Sequence, residues 1–145
     1  LLTSEEDTNK VIEILANEFS WLNEKQALVF MGHGTTHFSN SIYAALDYAF
    51  KDKGHPNIFL ATVEAYPSID SLKRLVDAYK PEEIVLAPFM IVAGDHAKND
   101  MAGDEEDSWG SHLKRAGYDV ECHIIGLGEL EGIQNMFVRH VREAK

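Results

Sequence analysis

Short apolar runs alternate along the chain with longer segments in which apolar residues recur every three or four positions. The runs predict strands buried on both faces, and the helical spacing predicts amphipathic helices. The predicted strands are residues 27–31, 58–63, 84–92 and 119–125. The predicted helices are residues 3–23, 38–52, 68–80, 104–116 and 129–143. This alternation of strand and helix predicts a three-layer α/β/α fold around a parallel four-stranded sheet.

Residues that commonly begin or end helices mark several of the predicted boundaries. Thr3 and Glu6 have the spacing of a capping box at the first helix. Ser68 is a candidate N-cap, and the acidic run at 104–107 favours a helix N-terminus through the helix dipole. Gly117 suits the position that follows a helix C-terminus.

Polar residues with metal-binding side chains follow three of the predicted strands. His33 follows the first strand, Glu64 the second, and His96 the third, where Asp95 and Asp100 flank it. Because parallel strands joined by helices all end on one edge of the sheet, these residues are predicted to share one rim. Two imidazoles and a carboxylate suit a divalent ion such as Co²⁺, Fe²⁺, Ni²⁺ or Zn²⁺. Three protein ligands leave coordination positions open for a substrate.

Most of these candidates also have a purely structural interpretation. On spacing alone, Glu64 is as readily a solvated residue at the end of a strand. Asp95 and Asp100 can hold the loop through side-chain turns. His37 is a polar loop residue, a cap for the next helix or a residue behind the site. A metal-dependent hydrolase built on Asp95, His96 and Asp100 is a further alternative, but the sequence offers no second cluster of ligands for it.

His33 lies between two glycines, which ordinary loops seldom need. Gly32 and Gly34 predict a close approach of the backbone or a positive φ. A phospho-acceptor role for His33 is disfavoured, because such a site needs arginines around the phosphate. Every arginine of the chain falls in a predicted helix: Arg74, Arg115, Arg139 and Arg142.

The composition narrows the class of protein. The 145 residues match the usual size of one domain, and 45% are hydrophobic, enough for a buried core. A net charge of −11 argues against nucleic acid and anionic membranes as partners, and favours the approach of cations. The single cysteine, Cys122, excludes an internal disulfide and fits a reducing compartment. Cytoplasm is therefore expected, with periplasm kept open because the chain begins at Leu1, which also predicts a fragment or a processed form.

Four segments of the chain resemble the anaerobic-type sirohydrochlorin cobalt chelatases, class II tetrapyrrole chelatases related in structure to ferrochelatase. These segments are residues 31–37 (MGHGTTH), 62–67 (TVEAYP), 88–104 (PFMIVAGDHAKNDMAGD) and 126–129 (GLGE). The third is long and specific, whereas a short His-Gly-Thr alone would be a weak signal. The resemblance implies a chelatase-like fold and a lyase of cobalamin biosynthesis that inserts Co²⁺ into sirohydrochlorin.

The family's two histidines and one glutamate map onto His33, His96 and Glu64. The resemblance thus implies His33 and His96 as catalytic residues, and all three as metal ligands. It also implies that residues 1–145 are a single α/β domain, the C-terminal half of a two-domain chelatase whose missing N-terminal half supplies the opposite wall. The sequence contains no Gly-rich phosphate loop of the Walker type, so no nucleotide is expected.

Three further residues are predicted to meet the tetrapyrrole at the rim: Tyr66, Lys98 and Met101. Lys98 is the basic residue that the prediction places near the carboxylates of sirohydrochlorin, and a solvated loop lysine is its alternative. Fe²⁺, Ni²⁺ or Zn²⁺ would fit the same ligand set as Co²⁺. A non-catalytic metal-binding domain that uses the same residues is the competing function, and a homo-oligomer is compatible with the sequence.

Overall fold

The computed structural model describes residues 1–145, with the exception of the side chain of His96. Its strands are β1 (Gln26–Gly32), β2 (Ile58–Thr62), β3 (Glu83–Pro88) and β4 (Asp119–Cys122). Its α-helices are α1 (Glu5–Glu18), α2 (Ser41–Asp52), α3 (Ile69–Tyr79), α4 (Trp109–Arg115) and α5 (Glu131–Glu143). The strands form one sheet in the order β2-β1-β3-β4, and all three neighbouring pairs are parallel. The predicted three-layer α/β fold is confirmed.

The side chains of the central strand β1 alternate between two hydrophobic layers. Leu28 and Phe30 pack with residues of α1, α2 and α5 on one face of the sheet. Val29 and Met31 pack with residues of α3 and α4 on the other. Because both faces are covered, the strand needs apolar residues at every position, which explains its continuous apolar sequence.

The predicted third strand is too long at its carboxyl end. β3 ends at Pro88, whereas the apolar run continues to Val92. The backbone N–H of Phe89 still donates to Met31 O at 2.7 Å, but Met90 O accepts from Leu127 N at 2.7 Å. The chain therefore leaves the sheet to pair with the loop at residues 126–128. β4 is likewise shorter than predicted and ends at Cys122.

Several predicted helix boundaries are wrong. The first helix ends at Glu18 and not at 23, the second begins at Ser41 and not at 38, and two starts differ because another residue caps the helix. Ser4, not Thr3, caps α1: its Oγ accepts from Asp7 N at 3.1 Å, while the Thr3 hydroxyl donates to the Asp7 carboxylate at 2.8 Å. The helix predicted from residue 104 begins at Trp109, because the buried Ser108 caps it. The acidic residues 104–107 form bends and turns before the cap.

Other predicted boundaries are confirmed. Ser68 caps α3 by accepting from Ser71 N at 3.4 Å, and Gly117 follows α4 with a φ of +100°. The predicted loop after β3 contains one π-helical turn, His96–Met101. None of the helices in the described residues combines the length and the apolar character that a bilayer span requires.

The order of the strands places a topological switch point between β1 and β3. The chain leaves β1 toward β2 on one side and leaves β3 toward β4 on the other. In open α/β sheets, a crevice at the carboxyl ends of such strands is the usual place for a ligand. The loops that follow Gly32, Thr62 and Pro88 all emerge at this rim.

Candidate metal site

His33 and Glu64 lie side by side at the rim. Nδ1 of His33 is 3.6 Å from Oε2 of Glu64. The backbone brings them together, because Glu64 N donates to His33 O at 3.0 Å and so extends the pairing of β1 with β2. The two side chains are 45% and 55% exposed, which leaves the pair accessible to a ligand from solvent. The structure thus confirms that the first two strand ends meet.

The hydrogen bond of the His33 ring indicates its tautomer. Nδ1 lies 3.0 Å from Gly34 O, and a carbonyl oxygen can only accept. With the hydrogen on Nδ1, the lone pair of a neutral ring is on Nε2, the atom that can bind a metal or accept a proton. Glu64 Oε2 lies 3.6 Å from the same Nδ1, too far for a second hydrogen bond but close enough for an electrostatic attraction to the N–H.

Both glycines around His33 are required by close packing. A Cβ at Gly32 would lie 2.4 Å from the ring of Tyr43. Gly34 has a φ of +86°, and a Cβ there would lie 2.9 Å from the Cβ of Thr62. The predicted close approach and positive φ are both confirmed, and they seat the loop after β1 tightly against the loop after β2.

The role predicted for His96, as third ligand and as catalytic residue, falls on a side chain outside the described part of the structure. Its backbone begins the π-helical turn that follows β3. Among the described side chains, no group of three or more His, Cys, Asp or Glu could hold a metal ion. The described residues therefore contain two of the three predicted ligands, His33 and Glu64, in one place.

The predicted substrate contacts differ in their surroundings. Tyr66 is 68% exposed on the loop after β2. Lys98 is exposed and lines a rim cavity of 560 Å³ together with Val92, Ile124 and Glu129, among others. Met101 is fully buried in the core layer of α3 and α4, so its side chain does not face the rim.

An apolar cavity of 380 Å³ adjoins His33. Its other lining residues are apolar or aromatic: Leu1, Leu2, Ile42, Tyr43, Phe89, Met90, Ile91 and Leu127. Tyr43 lines this cavity but is not predicted from the sequence as a site residue. The only signal for it was Gly32, whose missing side chain makes room for the tyrosine ring.

His37 is the remaining histidine of the first loop. It caps the short turn Phe38–Asn40, since its Nδ1 accepts from Ser39 N at 3.2 Å. The side chain is exposed. Of the interpretations offered for this residue, the structure supports the cap.

The chain is similar to known proteins along nearly its whole length. Residues 1–145 match the family model described as cobalt chelatase (CbiK). The chain is 37% identical over 147 residues to a sirohydrochlorin cobaltochelatase of Salmonella typhimurium, covering 99% of this chain and 54% of that protein. It is 32% identical over 119 residues to the sirohydrochlorin cobaltochelatase CbiKC of Nitratidesulfovibrio vulgaris, covering 82% of this chain and 42% of that protein. The chain thus spans about half the length of the curated relatives it matches, and it belongs to the cobalt chelatase family.

Proposed function

We propose that this chain carries the metal-inserting site of a sirohydrochlorin cobaltochelatase, which places Co²⁺ in a metal-free tetrapyrrole without ATP. The observation that carries the proposal is the pairing of His33 with Glu64 at the carboxyl ends of β1 and β2, in a chain of the cobalt chelatase family. Fe²⁺, Ni²⁺ and Zn²⁺ suit the same donor atoms and are proposed as competing metals.

Insertion requires the protein to hold a partly dehydrated metal and to accept two pyrrole N–H protons. The neutral imidazole of His33 presents the Nε2 lone pair for either task. Glu64 orients that ring from the Nδ1 side, or shares the metal once it is bound. We propose that His96 supplies the second imidazole, because the loop after β3 emerges at the same rim.

The substrate is proposed to lie against the apolar cavity beside His33. This cavity offers the aromatic ring of Tyr43 and the side chains of Met90 and Ile91 to an apolar face. Lys98, in the neighbouring cavity, is proposed to meet a substrate carboxylate, and Tyr66 to contact the macrocycle from the loop after β2. Met101 is fully buried and is therefore not proposed to contact the substrate.

We also propose that the chain is the C-terminal half of a two-domain chelatase. Curated relatives are about twice as long, and both members of the His33 and Glu64 pair are about half exposed. A second α/β half facing this rim would exclude water and cover the other face of the macrocycle. Cytoplasm remains the proposed compartment, with a free Cys122, and periplasm the alternative. The proposal allows a homo-oligomer, which sedimentation velocity tests.

The experiment is to follow the absorption spectrum of sirohydrochlorin after Co²⁺ is added, with and without the protein. Replacing a group that transfers protons costs roughly 10²- to 10⁴-fold in rate, so His33→Ala and His96→Ala should lose most of the acceleration. His55→Ala is the matched control, because His55 precedes β2 at the opposite edge of the sheet. Insertion at the wild-type rate by both His33→Ala and His96→Ala would remove the assignment.

A non-catalytic metal-binding domain is the second candidate. It is favoured by one observation, that the His33 and Glu64 side chains are 45% and 55% exposed, so that water reaches the site. Binding of Co²⁺ that depends on His33 and Glu64, without any acceleration of insertion by the full protein, would support this alternative over the chelatase.

A further inference from the structure

The side chain of Asn40 joins the two loops that carry His33 and Glu64. Its Oδ1 accepts from the backbone N–H of Thr35 at 2.9 Å. Its Nδ2 donates to the carbonyl of Tyr66 at 2.6 Å. Thr35 lies two residues after His33, and Tyr66 two residues after Glu64. One carboxamide therefore spans the two backbones next to the candidate ligands.

This use of Asn40 is unusual for its position. Asn40 occupies the N-cap of α2, where an asparagine commonly accepts from the first helical N–H groups. Here its backbone is helical, with φ −57° and ψ −23°, and its side chain makes no capping hydrogen bond. The carboxamide bonds to the two loops at the rim and not to the first turn of its own helix.

The bridge begins where the pairing of the two backbones stops. Along the described residues, the last backbone hydrogen bond that joins these loops runs from Glu64 N to His33 O. Beyond it, Gly34 packs against Ala65, and the carboxamide of Asn40 links the two loops further along. The 3.6 Å separation of His33 Nδ1 and Glu64 Oε2 depends on where these two loops place their backbones.

We infer that Asn40 is a positioning residue that sets the spacing of His33 and Glu64 and thereby the affinity of the site for a divalent cation. The inference rests on the proposed function, in that His33 and Glu64 are taken to serve the metal. Residues behind metal ligands typically contribute about 10- to 100-fold in metal affinity. Asn40 acts on both candidate ligands through their loops, without contacting the metal.

The test uses Asn40→Ser and Asn40→Ala in the full chain. Serine is too short to reach both Thr35 and Tyr66, and because the Asn40 side chain makes no capping hydrogen bond, neither variant removes a cap from α2. Asn57→Ala is the matched control. Asn57 Nδ2 donates to Gln26 O at 3.0 Å and so makes a similar bridge at the amino edge of the sheet, away from the rim.

Co²⁺ alone is the probe, with its affinity measured by calorimetry, its coordination by the visible d–d absorption bands, and protein stability by urea unfolding. Both Asn40 variants are expected to bind Co²⁺ about 10- to 100-fold more weakly and to change the d–d bands. Both variants should remain folded in the absence of urea, so that the weaker binding is not caused by unfolding. Asn57→Ala should bind Co²⁺ as the wild type does.

Two outcomes separate this inference from the proposed function. If Glu64→Ala and His33→Ala bind Co²⁺ as tightly as the wild type, the proposed site itself fails. If those two variants weaken binding while both Asn40 variants match Asn57→Ala in affinity and spectrum, the inference about Asn40 is overturned and the proposed site stands.

Discussion

Gly34 shows how one residue sets the geometry of the rim. Its φ of +86° is a conformation that side chains other than glycine rarely adopt, and a Cβ would also approach Thr62 to 2.9 Å. Gly54 has a similar φ of +93°, but nothing lies within 4 Å of the position of its Cβ. The two glycines therefore share the backbone requirement and differ in packing.

Gly34→Ala is expected to destabilise the protein more than Gly54→Ala. The positive φ alone should cost roughly 1–3 kcal/mol in either variant, and the contact with Thr62 adds to it only at Gly34. Gly34→Ala should also weaken Co²⁺ binding, because the loop that carries His33 must move. Urea unfolding and calorimetry measure the two effects. Equal destabilisation by both variants, with unchanged Co²⁺ affinity, would contradict the packing role of Gly34.

At this scale the sequence predicted which residues meet but not how closely. Parallel topology alone brings His33 and Glu64 to one rim. Their separation of 3.6 Å depends on a hydrogen bond between two loop backbones and on the packing of Gly34. Asn40 could not be found from the sequence, because it lies inside the predicted helix 38–52, and only the tertiary structure shows that its side chain bonds to the loops at the rim.

At the level of elements, Tyr118 links the segment between α4 and β4 to α3 through a hydrogen bond. The hydroxyl of Tyr118 donates to Asp77 of α3 at 2.5 Å. Partial burial, together with this hydrogen bond and the charge of Asp77, raises the pKa of Tyr118 to about 12. Lys73 and Tyr118 in turn lower the pKa of Asp77 below its usual value.

The hydrogen bond between Tyr118 and Asp77 predicts that the protein loses stability at alkaline pH. The pKa of Tyr118 is higher in the folded state than the value of about 10 for an unfolded tyrosine. The folded protein therefore binds more protons between the two values. The stabilisation is complete below about pH 10 and is lost as the pH rises through about 12. In Tyr118→Phe the free energy of unfolding should be lower at neutral pH and should fall less steeply over this range.

Urea unfolding at a series of pH values provides the measurement. Tyr48→Phe is the control, because Tyr48 is 74% exposed and should leave the alkaline slope unchanged. If Tyr118→Phe and the wild type lose stability in parallel from pH 10 to pH 12, the link between Tyr118 and Asp77 does not stabilise the fold as described.

The order and type of the elements followed from the apolar pattern, whereas several ends did not. The acidic residues 104–107 have the charge of a helix start. However, α4 begins only after Ser108, whose buried hydroxyl accepts from Ser111 N in the first turn. The apolar run after Pro88 is typical of a strand. However, its backbone leaves the sheet and pairs with the loop at 126–128. Local charge and hydrophobicity favour an element, and contacts from distant residues decide where it stops.

Over the whole molecule, charge acts in opposite directions on the two proposed substrates. The net charge of −11 attracts Co²⁺ and repels a tetrapyrrole that carries many carboxylates. A cation at the rim offsets this repulsion locally. Lys98 is exposed, and the cavity that it lines lies at the ends of β3 and β4. Salt should therefore weaken Co²⁺ binding and ease the approach of the tetrapyrrole.

Lys98→Ala tests this balance in the insertion reaction. An exposed charge pair contributes roughly 0.2–1 kcal/mol, so the KM for sirohydrochlorin should rise by a few-fold at most at low salt, with kcat little changed. The difference should shrink at an ionic strength near 1 M, where the screening length is about 3 Å, and Lys98→Arg should restore the KM. Lys53→Ala, at the end of α2 near the amino edge, is the control. A KM that is unchanged in Lys98→Ala, or a defect that is independent of salt, would show that Lys98 does not meet a substrate carboxylate.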